Sequence, residues 1–326
     1  MRLLWIVLPI VEALQFRQDG TFKIVQFSDP QIGTFWFDWC RDLTWEERQH
    51  PCSAKNTTTF MKRVLDYERP DLVVFVGDVI LSGRAWIWTP ITLEFVLKPV
   101  VDSGIPFAVV LGNHDTEGLF SNYWTRRRIM RTIEALPGSR SSVGFSPDTT
   151  SAGTYSLDIT KKDNGIFKLW FFDSGSSSKD PSIPGYGWIS EEQIQWFKDN
   201  SQNKEDSIAF FHIPTPEWKE TQHSVGDRYE NVASPQYNSG LLDVMDQRSN
   251  VRLISVGHDH VNDDCGVWKG IHLCYGGGMG YTTYGRKGWP RRARVFQLNE
   301  TDSSIRTWKR LDTAEFPTID TQLFPK

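Results

Sequence analysis

Cysteine is scarce in these 326 residues: there are four, and no pair has the CxxC spacing of a structural zinc site. Long apolar runs are missing, since none reaches the ~20 residues that a membrane-spanning helix needs. Charge of one sign is missing too. With 36 basic against 40 acidic residues the net charge is −4, so no overall basic field points to nucleic acid. Internal repeats and an interdomain linker are also absent. The length alone allows one large α/β domain or two smaller ones.

The cysteines that are present fall into two local pairs. Cys40 and Cys52 share a polar loop, and Cys265 and Cys274 stand nine residues apart across an expected hairpin. An even count in this arrangement suits two disulfides and an exported protein. Arg2 before the apolar stretch Leu3–Val11 reads as an export signal over residues 1–13, which places the chain outside the cell or in the vacuole. Asn56 and Asn299 head glycosylation sequons. Aromatic residues are plentiful, with 14 Trp and 20 Phe, and most are expected in the core.

Five short apolar runs each end in residues that can hold a metal. Phe22–Phe27 leads to Asp29 and Gln31, and Leu72–Val76 to Gly77-Asp78. Phe107–Leu111 leads to Gly112-Asn113-His114-Asp115, Ser207–Phe211 to His212, and Val251–Val256 to Gly257-His258-Asp259-His260. Runs of this kind read as buried strands of an α/β sheet, and ligands gather at the carboxyl ends of such strands. Helices are expected over Thr57–Glu68, Ile91–Val101, Ser121–Leu136 and Ser190–Asp199. The polar stretch Thr215–Ser239 reads as an irregular wall beside His212, and Asp312–Lys326 as a loosely held tail after a domain spanning 14–311.

Taken singly, each of these Asp, Asn and His residues has a bland reading as a turn former or a hydrogen-bonded core residue. Four of the seven histidines falling in one pattern, in this order, reverse that weighting. The pattern resembles the calcineurin-like metallophosphoesterases from about Lys23 to Leu298. Further segments, among them Tyr186-Gly187-Trp188-Ile189 and Tyr284-Gly285-Arg286-Lys287-Gly288-Trp289-Pro290-Arg291, are similar to the fungal and plant phosphatases related to purple acid phosphatases.

The resemblance implies a β-sandwich flanked by helices and two divalent metal ions, whose candidates are Mn, Fe, Zn and Mg. One ion would take Asp29, Gln31, Asp78 and His260, and the other Asp78, Asn113, His212 and His258. A bridging carboxylate suits two cations that share a hydroxide and clamp phosphate oxygens. His114 would protonate the leaving oxygen, oriented by Asp115, while Arg286 and Arg291 would contact substrate phosphate. The cluster Arg126–Arg131 reads as a solvated helix face.

Two positions depart from the family. Gln31 stands where the family has His, and an amide oxygen is the poorer transition-metal ligand. Leu81 stands where the purple enzymes place a ferric-iron tyrosine, so no charge-transfer colour is expected. The leading expectation is a phosphomonoesterase. A phosphodiesterase or nucleotide hydrolase uses the same motifs, and a non-catalytic phosphate-ligand-binding protein would follow from an impaired Gln31 site. The sequence does not set the oligomeric state.

Overall fold

Alternation of apolar side chains along buried strands divides this protein into three cores. The computed structural model describes residues 13–34, 38–118, 121–201, 205–248 and 250–326. The expected export segment therefore lies outside the described residues except for Ala13, as do Phe35, Trp36 and Phe37 of the aromatic loop.

The first half runs β1 (Leu14–Gln15), β2 (Thr21–Phe27), α1 (Ala54–Glu68), β3 (Leu72–Val76), α2 (Ser82–Ala85), α3 (Thr89–Ser103), β4 (Phe107–Val110) and α4 (Arg126–Glu134). It continues with β5 (Tyr155–Thr160), β6 (Ile166–Phe171), α5 (Glu191–Asn200), β7 (Asp206–Phe210), β8 (Gln222–Val225) and α6 (Leu241–Arg248). The last strands are β9 (Asn250–Val256), β10 (Cys265–Trp268), β11 (Ile271–Tyr275), β12 (Arg292–Asn299), β13 (Ile305–Leu311) and β14 (Thr318–Phe324).

A six-stranded sheet has the order β14-β13-β12-β2-β3-β4, and an eight-stranded sheet the order β1-β5-β6-β7-β9-β11-β10-β8. Leu72, Val74 and Val76 of β3 face the space between the sheets, together with Leu169, Ile208 and Leu253. Their neighbours Val73 and Phe75 face α1, α3 and α4. On the far side, Phe172, Ala209 and Ile254 pack against α5 and α6. A strand buried on both faces needs apolar side chains at every position, which is why β3 and β4 read as unbroken runs. The result is a helix–sheet–sheet–helix sandwich, as the resemblance implies.

Local chemistry explains the element ends. Ser53 and Asn56 form a reciprocal cap that starts α1 three residues before the expected Thr57, and Ser190 and Gln193 do the same for α5. The helix expected from Ser121 begins only at Arg126, where the Thr125 side chain accepts from Arg128 N.

The expected loose tail is corrected: β14 pairs antiparallel with β13. Phe324 is buried against His272, and the Arg252 guanidinium binds the carbonyls of Phe324 and Pro325. Charged and polar residues around this strand hid it from periodicity. The stretch Thr215–Ser239 also contains a strand, β8, paired with β10. Both cysteine pairs are disulfide-bonded, Cys40 to Cys52 and Cys265 to Cys274 across the β10–β11 pair. No helix among the described residues is long and apolar enough to cross a membrane. Trp170 and Trp218 lie in the core as expected, whereas Trp39 and Trp45 are exposed. The sequon residue Asn56 sits in the first turn of α1, and Asn299 ends β12.

Candidate metal centre

Strands β2, β3 and β4 are parallel to one another, and β7 and β9 are parallel in the other sheet. Their carboxyl ends bring Asp29, Gln31, Asp78, Asn113, His212, His258 and His260 together where the two sheets meet. All seven are buried. Ligand atoms of Asp78, His212 and His258 lie within 4.8 Å of one another, and so do those of Asp29, Asp78 and His260.

The backbone is strained to achieve this. Asp29, Gln31, Asp78 and His258 all adopt left-handed conformations, with φ of 55°, 46°, 47° and 73°. Non-glycine residues rarely stand there unless the surroundings impose it, and such strain clusters at functional sites. Two glycines make the approach possible. A Cβ at Gly77 would fall inside the His212 ring, and one at Gly112 would strike Asp78.

Hydrogen bonds fix which nitrogen of each ring faces the carboxylates. Nδ1 of His212 donates to the Val76 carbonyl at 2.9 Å, and Nδ1 of His260 to the Tyr284 carbonyl at 3.0 Å. Their Nε2 atoms then point at acidic oxygens, 3.2 Å from Asp78 Oδ2 for His212 and 3.4 Å from Asp29 Oδ1 for His260. Asn113 Oδ1 lies 3.2 Å from His212 Nε2. Nε2 of His258 is buried and has no hydrogen-bond partner. An orphaned imidazole nitrogen among carboxylates is what a metal ligand requires, and carbonyl-anchored partner rings set the tautomer a metal needs. The donor set fits divalent cations.

The electrostatics agree. Burial alone would raise the Asp78 pKa, but the adjacent His212 wins and holds it well below the usual carboxylate range. Burial opposes charge on His212, yet Asp78 and Asp29 push it up to about 9. His258 is held low by burial and by the neighbouring His212 charge. This pocket seeks positive charge, and a proton on His212 competes with a metal ion for it.

Beside the centre, two expected roles change. Asp115 does not orient His114, because its two oxygens accept from Ile80 N at 2.9 Å and Gly112 N at 2.7 Å. It braces the motif loop, and burial with the Asp78 charge raises its pKa to about 6. Glu117 lies against His114 instead, with Oε2 2.7 Å from Nδ1. The three-residue spacing from His114 to Glu117 was the available signal. Arg291 is not a phosphate contact either. It is buried, and its guanidinium donates to the carbonyls of Tyr284, Arg41 and Thr283. Arg286 is exposed and lies over the Tyr229 ring.

Arg126 belongs to the site's support rather than to a solvated face. It is 5% exposed, pairs with Asp173, and donates to the carbonyls of Gly112 at 2.7 Å and Leu111 at 3.0 Å. Those carbonyls lie directly before Asn113. Nothing in the run of four arginines marked the first one as buried. A cleft of about 780 Å³ opens beside this pair, lined by Thr116, Arg126, Asp173 and Ser176. Ser176 Oγ donates to the Asn113 carbonyl at 3.2 Å.

Comparison with known proteins follows the same line. Residues 22–262 match the sequence profile of the calcineurin-like phosphoesterases. Probable inactive purple acid phosphatase 29 of Arabidopsis thaliana is 38% identical over 95% of this chain and 87% of its own length. Phosphatase DCR2 of Saccharomyces cerevisiae is 36% identical over 95% of this chain and 57% of its own length. Among solved structures, a dimetal phosphatase from Danio rerio superposes with a TM-score of 0.61 at 14% identity, covering 93% of this chain and 98% of that one. The purple acid phosphatase PPD1 of yellow lupin gives 0.57 at 13% identity, over 94% and 54%. Sequence profile, relatives and fold agree, and the chain belongs to the calcineurin-like phosphoesterase family.

Proposed function

We propose that this protein is a metal-dependent phosphoester hydrolase acting on phosphomonoesters. The observation that carries the reading is the set of aimed but unused donors: the orphaned His258 Nε2, and the Nε2 atoms of His212 and His260 fixed toward Asp78 and Asp29. Asp29, Asp78, Asn113, His212, His258 and His260 would hold two divalent ions. Bound there, the ions would polarise the phosphoryl group and lower the pKa of water.

The chain's own residues supply the rest. His114 is half-exposed beside Asp78, with its backbone N–H on Asp78 Oδ1 at 2.8 Å. Burial disfavours its charge, but the Glu117 hydrogen bond and the Asp78 charge outweigh that and raise its pKa. That direction favours the protonated ring, the form that a donor to an alkoxide leaving group must take. The cleft by Thr116 and Ser176 offers room for the organic part of the ester. The phosphatase names of relatives support monoesters over diesters. Two disulfides support an exported, secreted or vacuolar protein, with glycans on Asn56 and Asn299.

A second reading is favoured by one observation. The Gln31 amide donates to Asp78 instead of offering oxygen, and several relatives carry the word inactive in their names. A non-catalytic phosphate-ligand-binding protein would follow. Hydrolysis of p-nitrophenyl phosphate and of its diester, measured with added Mn²⁺ at several pH values, decides between them. Metal-dependent monoester turnover supports the enzyme. Phosphate binding without turnover of either ester refutes it, and preferred diester turnover refutes the monoester assignment.

A further inference from the structure

Both candidate ion positions include Asp78. Asp78 Oδ1 is engaged by the backbone N–H of His114 at 2.8 Å. Oδ2 alone faces the centre, with His212 Nε2 and Gln31 Nε2 each 3.2 Å away. A carboxylate oxygen only accepts, so the Gln31 group against it must be the amide NH₂. The Gln31 carbonyl oxygen then points to the Thr283 hydroxyl, which donates to it.

That hydroxyl has little freedom to do otherwise. Thr283 Oγ1 also lies 3.3 Å from His260 Nδ1, but this nitrogen carries the hydrogen that it gives to the Tyr284 carbonyl. The single Thr283 proton is thus directed to Gln31. Thr283 is buried, and its carbonyl is held by Arg291 at 3.2 Å. Gln31 is equally fixed, with its backbone N–H on the Asp78 carbonyl at 2.8 Å and its backbone carbonyl accepting from the Thr282 hydroxyl.

We infer that Thr283 makes the two ion positions unequal, by turning the Gln31 carbonyl oxygen away from Asp78 and leaving the amide NH₂ against Asp78 Oδ2. Asp78, Asn113, His212 and His258 hold one ion tightly. Asp29, Asp78 and His260 form a three-donor position whose ion must displace an N–H from Asp78 Oδ2. The second position fills only when free metal is plentiful, so free metal regulates the centre's complete state. This concerns ion binding alone and stands whether or not the centre turns over esters.

The test is calorimetric titration of the metal-stripped full chain with Mn²⁺, with bound metal counted by equilibrium dialysis and the coupled ion pair followed by EPR. The wild type is expected to show two constants at least about tenfold apart, the scale on which outer contacts tune metal affinity. Thr283→Val should tighten the second constant alone, because the freed carbonyl can turn toward the ion. Gln31→His should tighten it further, and Thr283→Ser should match the wild type. Two equal constants in the wild type overturn the inference, as does binding of no ion. A second constant unmoved in Thr283→Val overturns it as well. If Thr283→Val does not fold, Thr283→Ala, which also lacks the hydroxyl, takes its place with the same expected result.

Discussion

The imidazole of His114 leans on Glu117, the extended residue that ends the 3-10 turn His114–Thr116, with Nδ1 and Oε2 2.7 Å apart. Its chain neighbour Asp115 turns inward and ties the loops after β3 and β4 together. Of these two motif neighbours, His114 faces Glu117 while Asp115 builds the frame.

The contact with Glu117 sets a pH dependence. A carboxylate beside His114 raises its pKa, so the acid form lasts to higher pH. Glu117→Gln should move the alkaline limb of the kcat profile to lower pH, with metal content unchanged. His114→Ala should lower kcat by about 10²-fold or more on alkyl monoesters and far less on p-nitrophenyl phosphate, whose leaving group needs no proton. Equal losses on both esters would remove His114 from the acid role.

Arg126 should behave as a positioning residue. Arg126→Met leaves Asp173 buried without its cation and frees the carbonyls before Asn113. A loss of about 3–5 kcal/mol in unfolding free energy is expected for a broken buried pair. Metal retention in dialysis should fall as well. Arg126→Lys should recover part of the stability and less of the metal binding, since an ammonium cannot reproduce the planar fork. Unchanged metal retention in a folded Arg126→Met protein would leave Arg126 a purely structural residue.

Asp78→Asn should reduce ester hydrolysis below about a tenth of wild type, because an amide cannot supply the anionic carboxylate that both positions include. Elemental analysis should find fewer than two ions per chain in that variant. Full occupancy with full activity would show that Asp78 does not bridge.

The C-terminal strand should loosen in acid. Burial against Phe324, with the Arg252 charge nearby, holds the His272 pKa down at about 4. An unfolded histidine titrates near 6.5. The depressed group therefore contributes stability that is complete above that value and is lost as pH falls from about 6.5 toward 4. Protection factors of β14 amides, corrected for the intrinsic exchange rate at each pH, should fall over this interval in the wild type and much less in His272→Phe. Identical pH dependence in the two proteins would exclude His272 as the cause.

The apolar runs and the metal-binding residue types that follow them were legible in the chain, and the family resemblance they carry implied the sandwich. Strands buried on both faces are mostly apolar, so β2, β3, β4, β7 and β9 stand out as short runs, and the polar residues that end them meet where the two sheets join. Local spacing likewise pointed to both disulfides. The places of the long polar side chains depend instead on contacts between segments far apart in the chain. Arg126 and Arg291 look like surface cations in the chain, because burial of a guanidinium depends on carbonyls and carboxylates brought from distant segments, such as Asp173 for one and Arg41 for the other. The direction of the Gln31 amide has the same origin. It is set by a hydroxyl 252 residues away, and no local pattern in the sequence records a contact made at that distance.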